Sequence, residues 1–515
     1  MASTNANGTI GVGFIRKEIT SKRNEWAVIR DCLEGEQTIK SKGFTYLPYP
    51  STNSKDENCT NENDPRYMAY KDRANFMNVT RRTIYELLAQ VFIKAPVVEV
   101  NNSKIMQLLL DNASGNGISL EQCAKTSLKY SLAYAYSGVL VDFPSTEKSV
   151  SVKDYNEGVY RPTITPYSPF AIRNFRVKDV GAEERLVLVV LQENTWEYDS
   201  DGFEVKEVPS LRVLRLDSNN EYVQSIYKSK DTNYHGDIVG WDLVSTTKPT
   251  TADGKPLNEI PFYFIGMENN NPYPDNPIMY DLATLNVSHY RNSADYEETM
   301  FVAGQATLFV SGLNTQDNGK APSIKMGVTG GINLKNGGTA GLLQAKADSG
   351  LAEAMEKKER AMAKFGAKFL ETDNVAKTAY QVKVENPSQG SILANCADNV
   401  SSAYTKALKF AHSLVNLPDD KVEFELNTDF EYNRVGTDEQ NQIINAWVAG
   451  AISFTEMRAV LKRAGTATQT DEEAIAEIKK HQAEKQAEEL KLAEKQAKIG
   501  GDNKPNTQTN KGAEK

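Results

Sequence analysis

Apolar residues along this chain change their spacing from region to region, and each change marks a different kind of element. Between residues 71 and 137 they return every three or four positions, the period of a helix with one buried stripe. The stretch "KDRANFMNVTRRTIYELLAQVFI" predicts a helix over about 71–93, with Met77, Thr80, Ile84, Leu88 and Val91 on its stripe and Pro96 to end it. "SLEQCAKTSLKYSLAYAYS" predicts another over 119–137. The capping box Ser119-x-x-Gln122 heads it, and it runs into the short buried strand "GVLVDF". Ahead of these, residues 1–14 read as a loose arm, "EWAVIRDCLEG" as a short helix ending at Gly35, and 46–67 as a long polar loop.

From about 160 to 265 the period falls to two. "RLVLVVLQENTWEY", "SLRVLRLDS" and "EYVQSIYKS" predict strands of an antiparallel sheet, separated by Asp-Gly and Asn-rich turns, and "IPFYFIG" predicts one more. The helical period then returns in "NPIMYDLATLNVSHYRNSADYEETMF". Asn276 suits an N-cap and Pro277 the first helical position. Nothing breaks the pattern before Gly304, so the helix would be about 39 Å long. Its two lines, Ile278, Leu282, Leu285, His289 and Met279, Ala283, Asn286, Tyr290, begin apolar and turn polar, and Arg291, Asn292, Asp295, Glu297 and Glu298 follow. Such a helix has little to bury in its second half.

A small β-rich module occupies about 305–348: "ATLFVSG", a Gly-rich turn region through "GVTGGINLKNGG", then "GLLQAKA". The next helix, 349–371, carries Leu351, Met355, Met362, Phe365 and Phe369 on one stripe, and 372–387 is a polar loop. A third long helix reaches about 415, with the small-residue contact line Cys396, Val400, Ala403, Ala407, Ala411, followed by the strand "KVEFELNTDFEY". Helices dominate from 437 on. The stretch 471–499 reads as a solvated, charged single helix and 500–515 as a disordered tail.

Composition limits what such a chain does. At 515 residues it has room for about three domains or one elongated subunit, and 40% apolar residues supply a core that is not packed all round. A net charge of −9 argues against gripping nucleic acid through its phosphates, which takes clustered Lys and Arg. Cys32, Cys59, Cys123 and Cys396 have no paired spacing, so reduced thiols are expected rather than a disulfide framework or zinc site. With no apolar N-terminal stretch and no run longer than a strand, a soluble protein made in a reducing cytoplasm is expected, without membrane contact.

Catalytic patterns are missing. There is no phosphate-binding loop, dinucleotide fingerprint, zinc-protease motif or nucleophile elbow. His235 falls on a loop, and His289 and His412 fall within helices without ligand spacing; Glu477 and His481 fit a surface helix pair. Glu297 and Glu298 are adjacent and point apart on a helix, so by themselves they make no dyad. No cofactor, metal site or nucleophile is named.

Two long helices bracketing a compact β-rich insert, then a polar loop and a third long helix, resemble the portal proteins of tailed bacteriophages. The matching pieces are Trp26, Asp31 and Gly35, "YLP" at 46–48, and "RANFMNVTRRT" after Tyr67 and Tyr70. Later come "PIMYDLATLNVSHYRNSADYE", "AMAKFGAKFLE", "KTA" at 377–379, "SILANCADNVSSAY", and "FELNTDFEYN" leading into "AWVAGAISFTEMRAVLKRAG". The likeness covers about 20–465 and rests on the order of many weak motifs.

The resemblance implies an α+β portal-type subunit: a mixed α/β wing over 1–275, stem helices at 276–304 and 349–371, and a clip at 305–348. It also implies a tunnel loop at 372–387, a long helix returning to the wing over 388–433, and a helical crown at 434–470 with Ile443, Ile444, Trp447 and Ile452 in its core. The role of 471–515 stays open. A non-enzymatic ring of twelve would sit at one capsid vertex of the virion, after assembly in the host cytoplasm. It would pass double-stranded DNA inward and outward and seat the terminase large subunit and then a head-tail adaptor, among major capsid and scaffolding proteins. Stem packing would fall to Leu282, Leu285, Met355, Met362 and Phe365. Asp295 and Glu298 would face the channel, as wet positions that repel phosphate, with Lys377, Gln381 and Lys383 on the tunnel loop. The competing reading is a cytoplasmic α+β hydrolase using scattered carboxylates such as Asp142, Glu297 and Glu298.

Overall fold

The computed structural model describes residues 11–50, 61–143, 158, 160–230, 240–305, 307–313, 334–344, 349–368, 391–418, 421–428, 430, 437–463, 466–467, 469–471, 473–481 and 484–485. The chain divides into two compact units, Met1–Thr428 and Asp429–Lys515.

The first unit is built round a set of helices and two sheets. α1 (Lys17–Glu34) begins earlier than its apolar pattern announces and stops at Gly35, whose φ of 102° favours glycine. α2 (Glu36–Ser41) follows directly. Trp26 of α1 is fully buried; its Nε1 donates to the Tyr134 carbonyl (2.9 Å) and its ring stacks on Tyr136. Asp31, nearly buried, accepts from Arg30 and from the Tyr46 hydroxyl (2.8 Å), so "YLP" is held by α1.

The helix expected over 71–93 is two. α3 (Pro65–Arg73) is capped by Asp64, and α4 (Val79–Val91) by Asn78. The turn between them survives because α7 (Met279–Ala303), far along the chain, supplies its hydrogen bonds. Ser293 Oγ accepts from Asn75 N (3.0 Å) and approaches Asn75 O (2.8 Å). Asn286 Oδ1 accepts from the amides of Val79 and Thr80, and its Nδ2 donates to Met77 O. Both side chains are buried, and paired polar groups there offset the backbone bonds that a continuous helix would have made. Met77, placed on the stripe by its spacing, is exposed, whereas Thr80, Ile84, Leu88 and Val91 are buried.

β1 (Val97–Glu99) and α5 (Lys104–Asp111) lead to α6 (Leu120–Tyr134), where the Ser119–Gln122 capping box is present. β2 (Tyr136–Asp142) lies between β3 (Thr163–Tyr167) and β9 (Phe262–Gly266) in a three-stranded antiparallel sheet. Gly138 is required there, because a Cβ would run into the Phe262 ring. β4 (Ile172–Val180), β5 (Glu183–Tyr198), β6 (Val205–Leu216), β7 (Tyr222–Ser229) and β8 (Trp241–Thr247) form an antiparallel meander in sequence order. Val12 of the arm packs on its Val190, Leu211, Val213 and Trp241.

After α7 come the hairpin β10 (Thr307–Leu313) and β11 (Leu334–Leu343), and then α8 (Ser349–Lys368). The glycines of "NGG", expected in a turn, lie within β11. α9 (Ile392–Leu414) buries its whole contact line, Cys396, Val400, Ala403, Ala407 and Ala411, against α6, β2 and β9, as small residues allow. The strand expected from "KVEFELNTDFEY" shortens to β12 (Glu423–Glu425), antiparallel to β1. The second unit contains α10 (Thr437–Val448) and α11 (Phe454–Arg463).

Candidate assembly and conduit surface

α7 starts at Met279, later than its sequence suggests, because Asn276 is engaged elsewhere: its Oδ1 accepts from Lys22 Nζ (2.7 Å) and does not cap the helix. Through Ala294 one side of α7 is buried: Met279, Leu282, Ala283, Asn286, Val287, His289, Tyr290, Ser293 and Ala294. It packs on α1, α3, α4, α6 and α8. Leu282 is fully buried inside the subunit, while Leu285 is half-buried.

Past Ala294 the helix emerges. Met300, Phe301 and Val302 are exposed, and the hairpin adds exposed apolar residues on both faces, Phe309 and Leu343 (72% exposed) on one and Leu342 on the other. α8 returns alongside α7 and is fastened to it at adjacent turns. Lys358 Nζ donates to the carbonyl (3.0 Å) and hydroxyl (2.7 Å) of Ser288, and His289 Nε2 lies 3.0 Å from Glu359 Oε1. Burial, with Arg291 nearby, lowers the Lys358 pKa. Met362 is buried, and Met355 and Phe365 are half-buried. The outer side of α8 is charged and internally paired through Glu353–Lys357 and Glu356–Arg360.

Asp295 and Glu298 share a face, as their spacing requires, and that face meets α3. Asp295 Oδ1 accepts from the Tyr70 hydroxyl at 2.6 Å. Glu298 pairs with Arg73, whose guanidinium lies 4.2 Å from the Phe301 ring centroid. Burial first, and the Asp295 carboxylate second, push the Tyr70 hydroxyl well above its usual range. Asp295 is exposed overall, but Glu298 is half-buried, so the fully wet pair expected from the sequence is instead a clasp holding α3. Lys377, Gln381 and Lys383, with the whole of 372–387, lie outside the described residues.

In the second unit the expected crown core is open: Ile444 and Trp447 are exposed and Ile443 and Ile452 half-buried. Trp447 contacts Phe454 at 5.9 Å, and among the described residues of this unit Met457 and Ala474 are the buried apolar ones.

Two of the three carboxylates named for the hydrolase reading, Asp142 and Glu298, are paired with cations. Asp142 and Glu193 both pair with Arg212, at 2.7 and 2.8 Å, and Glu298 pairs with Arg73. Among the described residues no cluster of His, Cys, Asp and Glu is arranged to hold a metal ion, and no helix is long and apolar enough to cross a membrane. Cys32, Cys123 and Cys396 are buried free thiols, and burial pushes the Cys32 pKa up to about 12.

The sequence pattern places Asn286 on a line that begins apolar and turns polar, and it does not single out Ser293. The signal available was a polar residue recurring on a helix face that otherwise buries. Tyr70 and Arg73 gave no local sign of their partners 225 positions away.

Residues 278–414 match the model of a family described as a domain of unknown function, DUF4055. No curated protein matches the chain. Among solved structures, a chain from the virion of a native gene transfer agent particle is 12% identical, with a TM-score of 0.39, covering 78% of this chain and 94% of that one. A chain from the neck of an empty particle of this agent, computed with C6 symmetry, is 12% identical, with a TM-score of 0.38 and coverages of 76% and 91%. One from the neck of the native particle, computed with C12 symmetry, is also 12% identical, with a TM-score of 0.35 and coverages of 79% and 95%. Scores of this size do not establish a shared fold.

Proposed function

We propose that the chain is a portal-type subunit, a non-enzymatic ring component through which double-stranded DNA enters and leaves a phage-type head. The observation that carries this reading is α7. Its first part is locked into the subunit, and its last turns and the hairpin beyond expose a run of apolar residues that one chain leaves uncovered. Apolar surface of that kind marks an interaction site. In a ring of twelve, copies of the α7–hairpin–α8 projection would pack side by side as the stem and clip. The negative balance suits a conduit, since few cationic contacts would retain the strand, and the ring multiplies the charge.

In this role the loop at 372–387 would project toward DNA with Lys377, Gln381 and Lys383. The open faces would seat the terminase large subunit, the head-tail adaptor and the capsid and scaffolding proteins of the virion. The test is the state of the purified chain without nucleic acid. Rings with a central channel in negative-stain images support the reading, and a monomer at all concentrations overturns it.

A further inference from the structure

The five-stranded meander carries a projection along which, among the described residues, no third strand pairs. β4's last pair is Ile172–Leu191 and β7's is Ser210–Lys228, so among the described residues β5 and β6 pair only with each other from Asn194 to Pro209, as a two-stranded finger, with the Lys228 side chain of β7 reaching Glu197. The five steps from Glu193 to Tyr198 span roughly 17 Å. On one face Trp196 and Tyr198 stand opposite Glu207 and Val205. Trp196 is 58% exposed, Tyr198 67% and Phe203, in the turn, 87%. The tip is acidic as well, with Asp199, Asp201, Glu204 and Glu207 against Lys206 alone.

A surface of opposite charge lies on the outside of α4 and α6. Tyr85 is 51% exposed and Ile93 is exposed with it. Lys129 Nζ sits 5.3 Å from the Tyr85 ring centroid and Lys125 Nζ 5.5 Å from that of Phe92. Neither lysine is paired with a carboxylate among the described residues, and the nearby Arg82 pairs only with Glu86. Finger and face each stay open, so one chain does not cover one with the other.

The geometry points to the finger of one copy lying on the α4–α6 face of the next copy round the ring. Trp196 and Tyr198 cover Tyr85 and Ile93, and the acidic tip meets Lys125 and Lys129. Two unlike patches that fit each other make a head-to-tail contact, the kind whose rotation closes into a ring. Charge complementarity sets the register, and aromatic surface supplies the contact. This inference rests on the ring reading above.

The experiment is a charge swap. One variant carries Glu204→Lys and Glu207→Lys, a second Lys125→Glu and Lys129→Glu, and a third all four changes. The protein concentration at half-assembly is measured by sizing chromatography, with the melting temperature of the chain as a check on folding. Each two-residue swap is expected to raise that concentration about tenfold, and the four-residue variant to return it toward wild type. Wild-type rings with two-residue variants that assemble equally well overturn the finger contact alone, as does a folded four-residue variant with no recovery. A wild-type chain that never forms rings overturns the ring reading itself.

Discussion

Asn286 Oδ1 accepts hydrogen bonds from both the amide and the side-chain hydroxyl of Thr80, at 3.2 and 3.1 Å, across 206 positions of chain. The same oxygen accepts from Val79 N, and the amide nitrogen donates to Met77 O. One side chain thus closes the start of α4. Asn286→Leu keeps the volume and removes every partner, leaving buried backbone groups unsatisfied. It is expected to cost about 2–4 kcal/mol, read as a lowered denaturation midpoint. A midpoint within error of wild type would show that water replaces the side chain.

The clasp between α3 and α7 makes a different prediction. Glu298→Lys places a second cation against Arg73, and the half-buried position makes the loss modest, about 1–2 kcal/mol. Adding Arg73→Glu restores opposite charges and is expected to recover at least half of the loss in thermal melts. If the two changes simply add, the ion pair contributes nothing of its own.

If the proposed ring forms, Leu282 and Leu343 would separate folding from assembly. Leu282→Asp puts a carboxylate into a fully buried site and is expected to destabilise the subunit itself by several kcal/mol. Leu343→Asp changes a residue that water already reaches, so the melting temperature of the monomer stays put while ring yield falls. The opposite pattern, with Leu282→Asp folding normally, would contradict the packing of α7.

Alkaline pH tests the buried tyrosines. Burial raises the Tyr46, Tyr70, Tyr136 and Tyr404 hydroxyls above their usual 10, with Asp31 adding to it at Tyr46 and Asp295 at Tyr70, and Tyr67 rises to about 12. A raised folded-state pKa contributes stability that is complete below the unfolded value and is lost as pH climbs toward the folded one. Melting temperature is therefore expected to hold up to about pH 10 and to fall above it, with phenolate absorbance rising in step with unfolding. Smooth ionisation of all tyrosines near pH 10 in an intact fold would contradict their burial.

What the sequence reveals of this fold follows the range of the forces involved. The meander, the capping box at Ser119 and the small-residue line of α9 depend on neighbours within a few positions, and pattern alone finds them. The break at 74–78 and the engagement of Asn276 by Lys22 depend on partners more than 200 positions away, and local propensity favours a continuous helix and a cap. For the candidate surface, the spacing of Asp295 and Glu298 placed them on one face, but what that face meets is decided by α3. The apolar end of α7 is not read from the sequence, where only the polar residues of its second half stand out; the structure leaves Met300, Phe301 and Val302 exposed.

The Asn286 and Ser293 bonds also carry a consequence for synthesis. The bonds that Asn75, Met77, Val79 and Thr80 make to Asn286 and Ser293 cannot form until residues some 206–218 positions downstream exist. At about 5–20 residues per second, the ribosome delivers them roughly 10–40 s later. In that interval the Asn78 cap and its bond to Cys32 O hold the start of α4. The N-terminal third therefore cannot complete its hydrogen bonding before α7 docks.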